Sequence, residues 1–429
     1  MSDAVIHTHE QRKYSAVPGA AIKGVTMSSS QSPVKPRLAA SERLLNVPPY
    51  TLAKVFQSRD EKLRQGVDVI DLGVGNPDIR PPQIALDALQ AALVDPKVQN
   101  HRYPSFNGLP EFRAAVAGWY ARRFGISVDP EREALALVGS KEGIAKFFLA
   151  HLNPGDTILM CSPCYPAYLG VAALAQVNVV EVPLTAERHF RPDLSAISEA
   201  DAGRAKVMFL NYPNNPTGGT ETAEMYDEVL AFARRHDLFV VSDIAYCDLP
   251  VDPAYRTRSF LQHDRDKERT LEFHSFSKSY SMQGWRLGFA VGNADIVANL
   301  TRIKSNMDFG VFMAIQRAGL AVLNGPQDYC ADAAKLYRRR GLAFQSAIAS
   351  LGYPFELPRA TLYLWLPIPR RFTRSLDFTA ELLESTGVVV GPGSGFGQAG
   401  EGFVRIALCA DESRCREAGE RMARAGYAW

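Results

Sequence analysis

The sequence predicts an α/β protein with a large domain, a mostly parallel central sheet flanked by helices, and a smaller α/β domain formed from both chain ends. Three observations carry this. Short apolar runs alternate with longer amphipathic segments, the pattern of strands and crossover helices. Several runs end in turns of Gly, Asn, Asp or Ser, which puts polar groups at strand carboxyl ends, where open α/β sheets hold ligands. The chain has 429 residues, 46% hydrophobic and 22% charged, enough for two domains with a substantial core. The expected parts are a disordered extension at 1–38, the first piece of the small domain at 39–66, the large domain at 67–322 and the rest of the small domain at 323–429.

Taken in order, Ser41 opens a short helical pattern that Pro48-Pro49 breaks, and Tyr50 to Leu63 reads as an amphipathic helix with Leu52, Val55, Phe56 and Leu63 on one side. Val67 to Leu72 reads as a strand entering Gly73-Val74-Gly75-Asn76-Pro77-Asp78, where glycine permits close approach to the backbone or simply ends the strand. Tyr103 precedes an amphipathic helix from Glu111 to Phe124. The strand Ala134 to Val138 turns through Gly139-Ser140-Lys141-Glu142-Gly143 into a helix ending at Leu152, and such a turn offers an anion its N–H groups or is an ordinary cap. Asp156 to Met160 is a strand before Pro163-Cys164-Tyr165-Pro166. Strand Val177 to Val182, helix Leu194 to Glu199 and strand Lys206 to Leu210 follow.

Asn211-Tyr212-Pro213-Asn214-Asn215-Pro216-Thr217-Gly218 is by itself only a tight turn before the helix Thr222 to His236. The strand Leu238 to Ser242 ends in Asp243-Ile244-Ala245-Tyr246, and a carboxylate there needs a partner, whether a ligand or a turn it caps. The stretch Ser275-Phe276-Ser277-Lys278, continuing to Gly284-Trp285-Arg286-Leu287-Gly288, lies between two strand-like runs. A lone lysine in a serine-rich turn is ordinarily a surface residue. Set between buried strands, Lys278 is partly desolvated, as a Schiff-base amine requires, and Ser275, Ser277 and Arg286 suit a phosphate. Helices at Ala294 to Lys304, Ile315 to Leu323 and Asp328 to Ser350 lead to the strand Leu362 to Leu366, and the strand Phe403 to Leu408 carries Arg405 amid apolar residues. A buried arginine there calls for a carboxylate.

These motifs, in this order, resemble those of the class I/II aminotransferases, pyridoxal-phosphate enzymes of fold type I. The resemblance covers nearly all of the chain after the first ~40 residues. It implies that Lys278 carries pyridoxal 5'-phosphate as a Schiff base and later serves as general base. Ser140, Lys141, Ser275 and Arg286 would hold the phosphate and Tyr165 would stack on the ring. Asn215 and Tyr246 would bond its phenolic oxygen, and Asp243 its ring nitrogen. Arg405, with Asn215 and the backbone of Gly75, would bind the substrate carboxylate. Tyr103 would reach the phosphate of a neighbouring subunit, which implies a homodimer. Gly-Ser-Lys-Glu-Gly-Ile is worded most like the alanine and LL-diaminopimelate aminotransferase subgroup. Ser281-Met282-Gln283, Cys164 and Asn306-Met307-Asp308-Phe309 depart from that subgroup around the expected pocket, which leaves the amino donor open. The reaction implied is amino transfer between an L-amino acid and a 2-oxo acid. Elimination, replacement or carbon–carbon bond formation on the same cofactor is the alternative, since fold does not fix reaction.

A formal charge of +2 gives no electrostatic footprint for nucleic acid, and no apolar run approaches a membrane span. The N-terminus lacks an apolar signal core, so a cytoplasmic location is expected. Cys161-Ser162-Pro163-Cys164 has CxxC spacing, but no second pair has ligand spacing and no helix opens on it, so neither a metal nor a redox role is expected. Gly391 to Gly397 lacks the spacing of a dinucleotide loop. A non-catalytic sensor would need a DNA-binding domain, for which the first 38 residues are too short.

Overall fold

The structure is a computed structural model that describes residues 38–49, 51–96 and 100–429. The extension expected at 1–38 lies, apart from Leu38, outside the described residues, as does Tyr50. Among the described residues all regular elements fall in the unit Ser41–Trp429. The strands are β1 (Ile70–Asp71), β2 (Ala134–Leu137), β3 (Thr157–Ser162), β4 (Asn178–Pro183), β5 (Ala205–Asn211) and β6 (Phe239–Asp243). They continue with β7 (Thr270–Ser275), β8 (Gly288–Gly292), β9 (Tyr363–Pro367), β10 (Val388–Val389), β11 (Gly391–Pro392) and β12 (Phe403–Ala407).

The main sheet has seven strands in the order β2-β8-β7-β6-β5-β3-β4. Its pairs are parallel except around β8, which runs antiparallel to β2 and β7. Side chains alternate across a strand, and here the alternation fills two cores. Val207 and Phe209 of β5, with Ile158 and Met160 of β3, pack against the helices Ser140–His151, Pro166–Ala175 and Ala294–Met307. Met208 and Leu210, with Leu159 and Cys161, face the helix Ala223–Arg235. Phe209 is 1% exposed, and truncating it to alanine would cost about 3–5 kcal/mol. β4 closes one edge and is half exposed, and Pro183 there costs the sheet no interior hydrogen bond.

A second, antiparallel sheet has the order β11-β12-β9, and β1 pairs with β10 in parallel. Ile70 and Leu72 share a core with Leu364, Val388, Val404 and Ile406, under the helices Asp328–Ala347, Ser375–Thr386 and Glu412–Arg424. The N–H of Ala407 donates to the Leu72 carbonyl at 2.7 Å, which ties the segment after β1 to the end of β12.

Four sequence expectations change. Leu194 to Glu199 is not one helix: Asp193 caps a short turn at Leu194–Ala196, and Ser198 caps a separate helix, Glu199–Arg204. The two caps satisfy the N–H groups that a continuous helix would have bonded. Of Val67 to Leu72 only Ile70–Asp71 pairs as a strand. The helix expected to reach Ser350 ends at Ala347 and passes into a tight turn, Ala349–Leu351. Leu63 is 51% exposed, because the last turn of Thr51–Arg64 runs past the core that buries Leu52 and Val55. The helices Gln83–Val94 and Pro166–Ala175 lie where no helix was read.

Candidate active site

The strand registers align a row of chain reversals at one edge of the main sheet. Asn211 lies opposite Asp243, Asp243 opposite Phe273, Ser275 opposite Gly288 and Leu137 opposite Gly288. The segments that leave this edge surround a cavity of about 260 Å³. Gly75, Ser140, Lys141, Tyr165, Asn215, Asp243, Tyr246, Ser275, Lys278, Arg286 and Arg405 all line it. Tyr103 does not; it is 83% exposed and rests its ring on Phe309, centroids 4.9 Å apart.

Lys278 sits in the one-turn helix Phe276–Ser279, which Ser275 caps by accepting the Ser277 N–H at 3.2 Å. Its Nζ donates to the Gly75 carbonyl at 2.5 Å. Ser281 (φ 52°) and Arg286 (φ 56°) hold left-handed backbone without being glycine. Such conformations cost energy and persist where the surroundings over-determine them, often at functional sites. Across the cavity mouth Gly139 (φ 76°) turns β2 into the helix Ser140–His151, and a Cβ there would lie 2.6 Å from an Arg286 guanidinium nitrogen. A helix amino terminus, two serine hydroxyls and a guanidinium thus converge on one end of the cavity, a donor set that suits a phosphate.

Asp243 lies at the carboxyl end of β6 and is 4% exposed. Burial pushes its carboxyl up to about 6, against the pull of hydrogen bonds from the Tyr168 hydroxyl at 2.7 Å and the Ala245 N–H at 3.1 Å. A carboxylate with acceptor capacity left over can take a hydrogen bond from a ligand N–H in the cavity. Tyr246 is buried, which holds its phenol well above the ordinary range and therefore neutral. Its hydroxyl is 3.0 Å from that of Tyr363.

Arg405 is 4% exposed and donates to Asn215 Oδ1 and to the Gly73 carbonyl, each at 2.9 Å. It enters no ion pair among the described residues, and its buried Nε has no partner. The rings of Tyr363 and Phe396 lie 4.3 and 4.5 Å from its guanidinium carbon. A buried guanidinium fixed by neutral groups, with no anion beside it, is a ready carboxylate site. A Cβ at Gly75 would fall 2.0 Å from the Tyr363 hydroxyl, so the glycine is needed for this packing.

Sequence reasoning missed Tyr168, Tyr363 and Gln283. Tyr168 stands in the unread helix Pro166–Ala175, three residues after Tyr165, and no motif flags it. Tyr363 is one of several aromatics in β9, and only the fold brings it to Tyr246. In the sequence Gln283 stands out only as a departure from the subgroup's pattern. Its Nε2 donates to the Pro77 carbonyl at 2.9 Å, which leaves Oε1 buried and without a partner in the cavity wall. All six cysteines are free. Burial pushes the Cys161 thiol up to about 12, and the Cys164 N–H donates to the Phe396 carbonyl at 2.8 Å, fixing the backbone just before Tyr165.

The anion-binding end, the primary amine, the buried carboxylate and the flat aromatic wall together fit pyridoxal 5'-phosphate. Comparison with known proteins agrees. The family described as aminotransferase class I and II matches residues 67–422. The LL-diaminopimelate aminotransferase of Syntrophobacter fumaroxidans is 46% identical over 387 residues, 90% of this chain and 99% of that protein. Substrate-bound BacF from Bacillus subtilis superposes with a TM-score of 0.87 at 33% identity, over 91% of this chain and 99% of that one. An aspartate aminotransferase mutant from Thermus thermophilus gives 0.85 at 30% identity, over 90% and 100%. These relatives favour amino transfer over elimination or replacement. The chain belongs to the class I and II aminotransferases of fold type I, enzymes that move an amino group between an amino acid and a 2-oxo acid with pyridoxal 5'-phosphate.

Proposed function

We propose that this aminotransferase takes an LL-diaminopimelate-type donor, with Lys278 as the group that holds the cofactor and moves the α-proton. The observation that carries the residue assignment is the juxtaposition in one cavity of Lys278, buried Asp243 and unpaired Arg405. When bound, pyridoxal 5'-phosphate supplies the electron sink that makes the substrate α-hydrogen acidic. Ser140, Lys141, Ser275 and Arg286 bind its phosphate, Tyr165 walls the ring, and Asn215 and Tyr246 bond the phenolic oxygen. Asp243 holds a proton at the ring nitrogen. Arg405, Asn215 and the Gly75 backbone orient the substrate carboxylate, and free Lys278 Nζ takes the α-proton as general base, a role typically worth ~10²–10⁴-fold.

The donor is inferred from the diaminopimelate relatives and from Gln283. Its unpartnered Oε1 is suited to accept from the ammonium at the substrate's far end. We also assign residues 67–322 to a large domain and 39–66 with 323–429 to a small one, and we place the enzyme in the cytoplasm. A homodimer is supported by exposed Tyr103 (83%), Met307 (58%), Phe309 (50%) and Phe312 (38%), an apolar patch suited to a second copy.

The test mixes cofactor-loaded protein with single amino acids and follows the visible cofactor band and 2-oxo acid release. LL-diaminopimelate should bleach the band at lower concentration than alanine or aspartate, and Gln283→Leu should raise KM for it selectively. Preference for a donor without a second ammonium would refute the substrate assignment and leave the transferase reading intact.

A further inference from the structure

A second cavity, of about 650 Å³, lies away from the catalytic one and shares no lining residue with it. Its volume is within the range of small-molecule sites. Trp119, Val251 and Ala334 give it apolar walls, and Trp119 and Val251 are 4% and 6% exposed. Around these walls stand Arg122, Arg123, Arg256, Lys335 and Arg338, with Asp248 the only acidic lining residue.

The pairing of these cations is uneven. Arg123 Nε meets Asp248 at 3.5 Å, and Lys335 meets Asp332 one helical turn away at 2.9 Å. Arg122, Arg256 and Arg338 enter no ion pair among the described residues. Each is steered by main-chain carbonyls: Arg122 donates to Leu323 at 2.7 Å, Arg256 to Pro253 and Tyr255 at 2.7 and 2.8 Å, and Arg338 to Val251 at 3.3 Å. A carbonyl orients a guanidinium without cancelling its charge, and although Arg338 also feels Asp252, whose carboxyl it helps to hold low, it makes no ion pair with it, so three forks remain available to an anion. They come from three separate segments: the helix Pro110–Phe124, the loop after β6 and the helix Asp328–Ala347.

We infer that this cavity is an accessory binding site for a small organic anion, one or more carboxylates on an aliphatic or aromatic body. The apolar wall takes the body and Arg122, Arg256 and Arg338 take the charge. The chain's own first 37 residues are a poor occupant by charge, since Arg12, Lys13, Lys23, Lys35 and Arg37 outnumber Asp3 and Glu10. A ligand bound here would lie against Val251, on the same stretch of chain that carries Asp243 and Tyr246 into the other cavity.

The test uses the full cofactor-loaded enzyme and the fluorescent anion anilinonaphthalene sulfonate. Saturable binding of one probe per chain is expected, weakened about tenfold or more in an Arg256→Gln/Arg338→Gln double variant. Ala334→Trp, which fills the cavity, should abolish it, with the cofactor band unchanged in both variants. Equal affinity in the double variant, or displacement of the probe by an amino-acid substrate, would overturn the inference.

Discussion

Asp243 and Glu272 are buried carboxylates on adjacent strands, 4% and 0% exposed, and the contrast between them separates the acid proposed to meet the cofactor from one that serves the fold. Burial raises both, Asp243 to about 6 and Glu272 to about 7. Glu272 sits in mid-strand inside a closed network. It accepts from Ser259 Oγ at 2.5 Å, the Phe260 N–H at 2.7 Å and the Tyr120 hydroxyl at 2.9 Å. Asp243 terminates its strand, has two donors and opens onto the catalytic cavity. A raised pKa marks both residues, so it cannot by itself distinguish a cofactor partner from a structural acid. Unused acceptor capacity facing a cavity can.

The largest effect should come from Asp243→Asn. It leaves the packing nearly intact but removes the charge at the ring nitrogen, so kcat should fall by about 10²–10³-fold with little loss of melting temperature. Glu272→Ala should do the reverse. It orphans three donors and costs about 3 kcal/mol of stability, read by denaturant unfolding, while turnover per folded molecule is preserved. Comparable activity losses in the two variants would erase the distinction.

Smaller effects refine it. Tyr168→Phe removes one donor to Asp243 and should lower kcat/KM about three- to tenfold. Glu272 has a raised folded-state pKa, so its stabilising contribution is complete below the ordinary value near 4.5 and is lost as pH rises through about 7. Glu272→Gln should flatten unfolding free energy across that window, and an unchanged slope would mean that another group sets it.

Much of the site was legible because it is assembled from short motifs at strand ends. Asp243 ends its strand, and Asn215 and Lys278 lie within four residues of the ends of theirs, and a parallel sheet brings such ends together whatever the intervening lengths. Contacts made only in three dimensions were not legible. Tyr363 meets Tyr246 across 117 residues, and Arg405 meets Asn215 across 190, although Arg405 announces itself as a charge in an apolar strand. Tyr168 gives no such signal, since an aromatic in an apolar helix usually belongs to the core. The arginines of the second cavity come from three distant segments, each an ordinary surface residue in sequence. The split at Leu194 to Glu199 was hidden because Asp193 and Ser198 cap locally, which periodicity does not register.

The central claim, that Lys278 is the residue bonded to the cofactor, is tested most directly by chemical trapping. Borohydride reduction of the cofactor-loaded enzyme fixes the carbon–nitrogen bond, and peptide mapping then locates the label. The account predicts label on the peptide containing Lys278, and none in a Lys278→Ala variant. Label on Lys141, the other lysine lining the cavity, or no label at all in the wild-type enzyme, would contradict it.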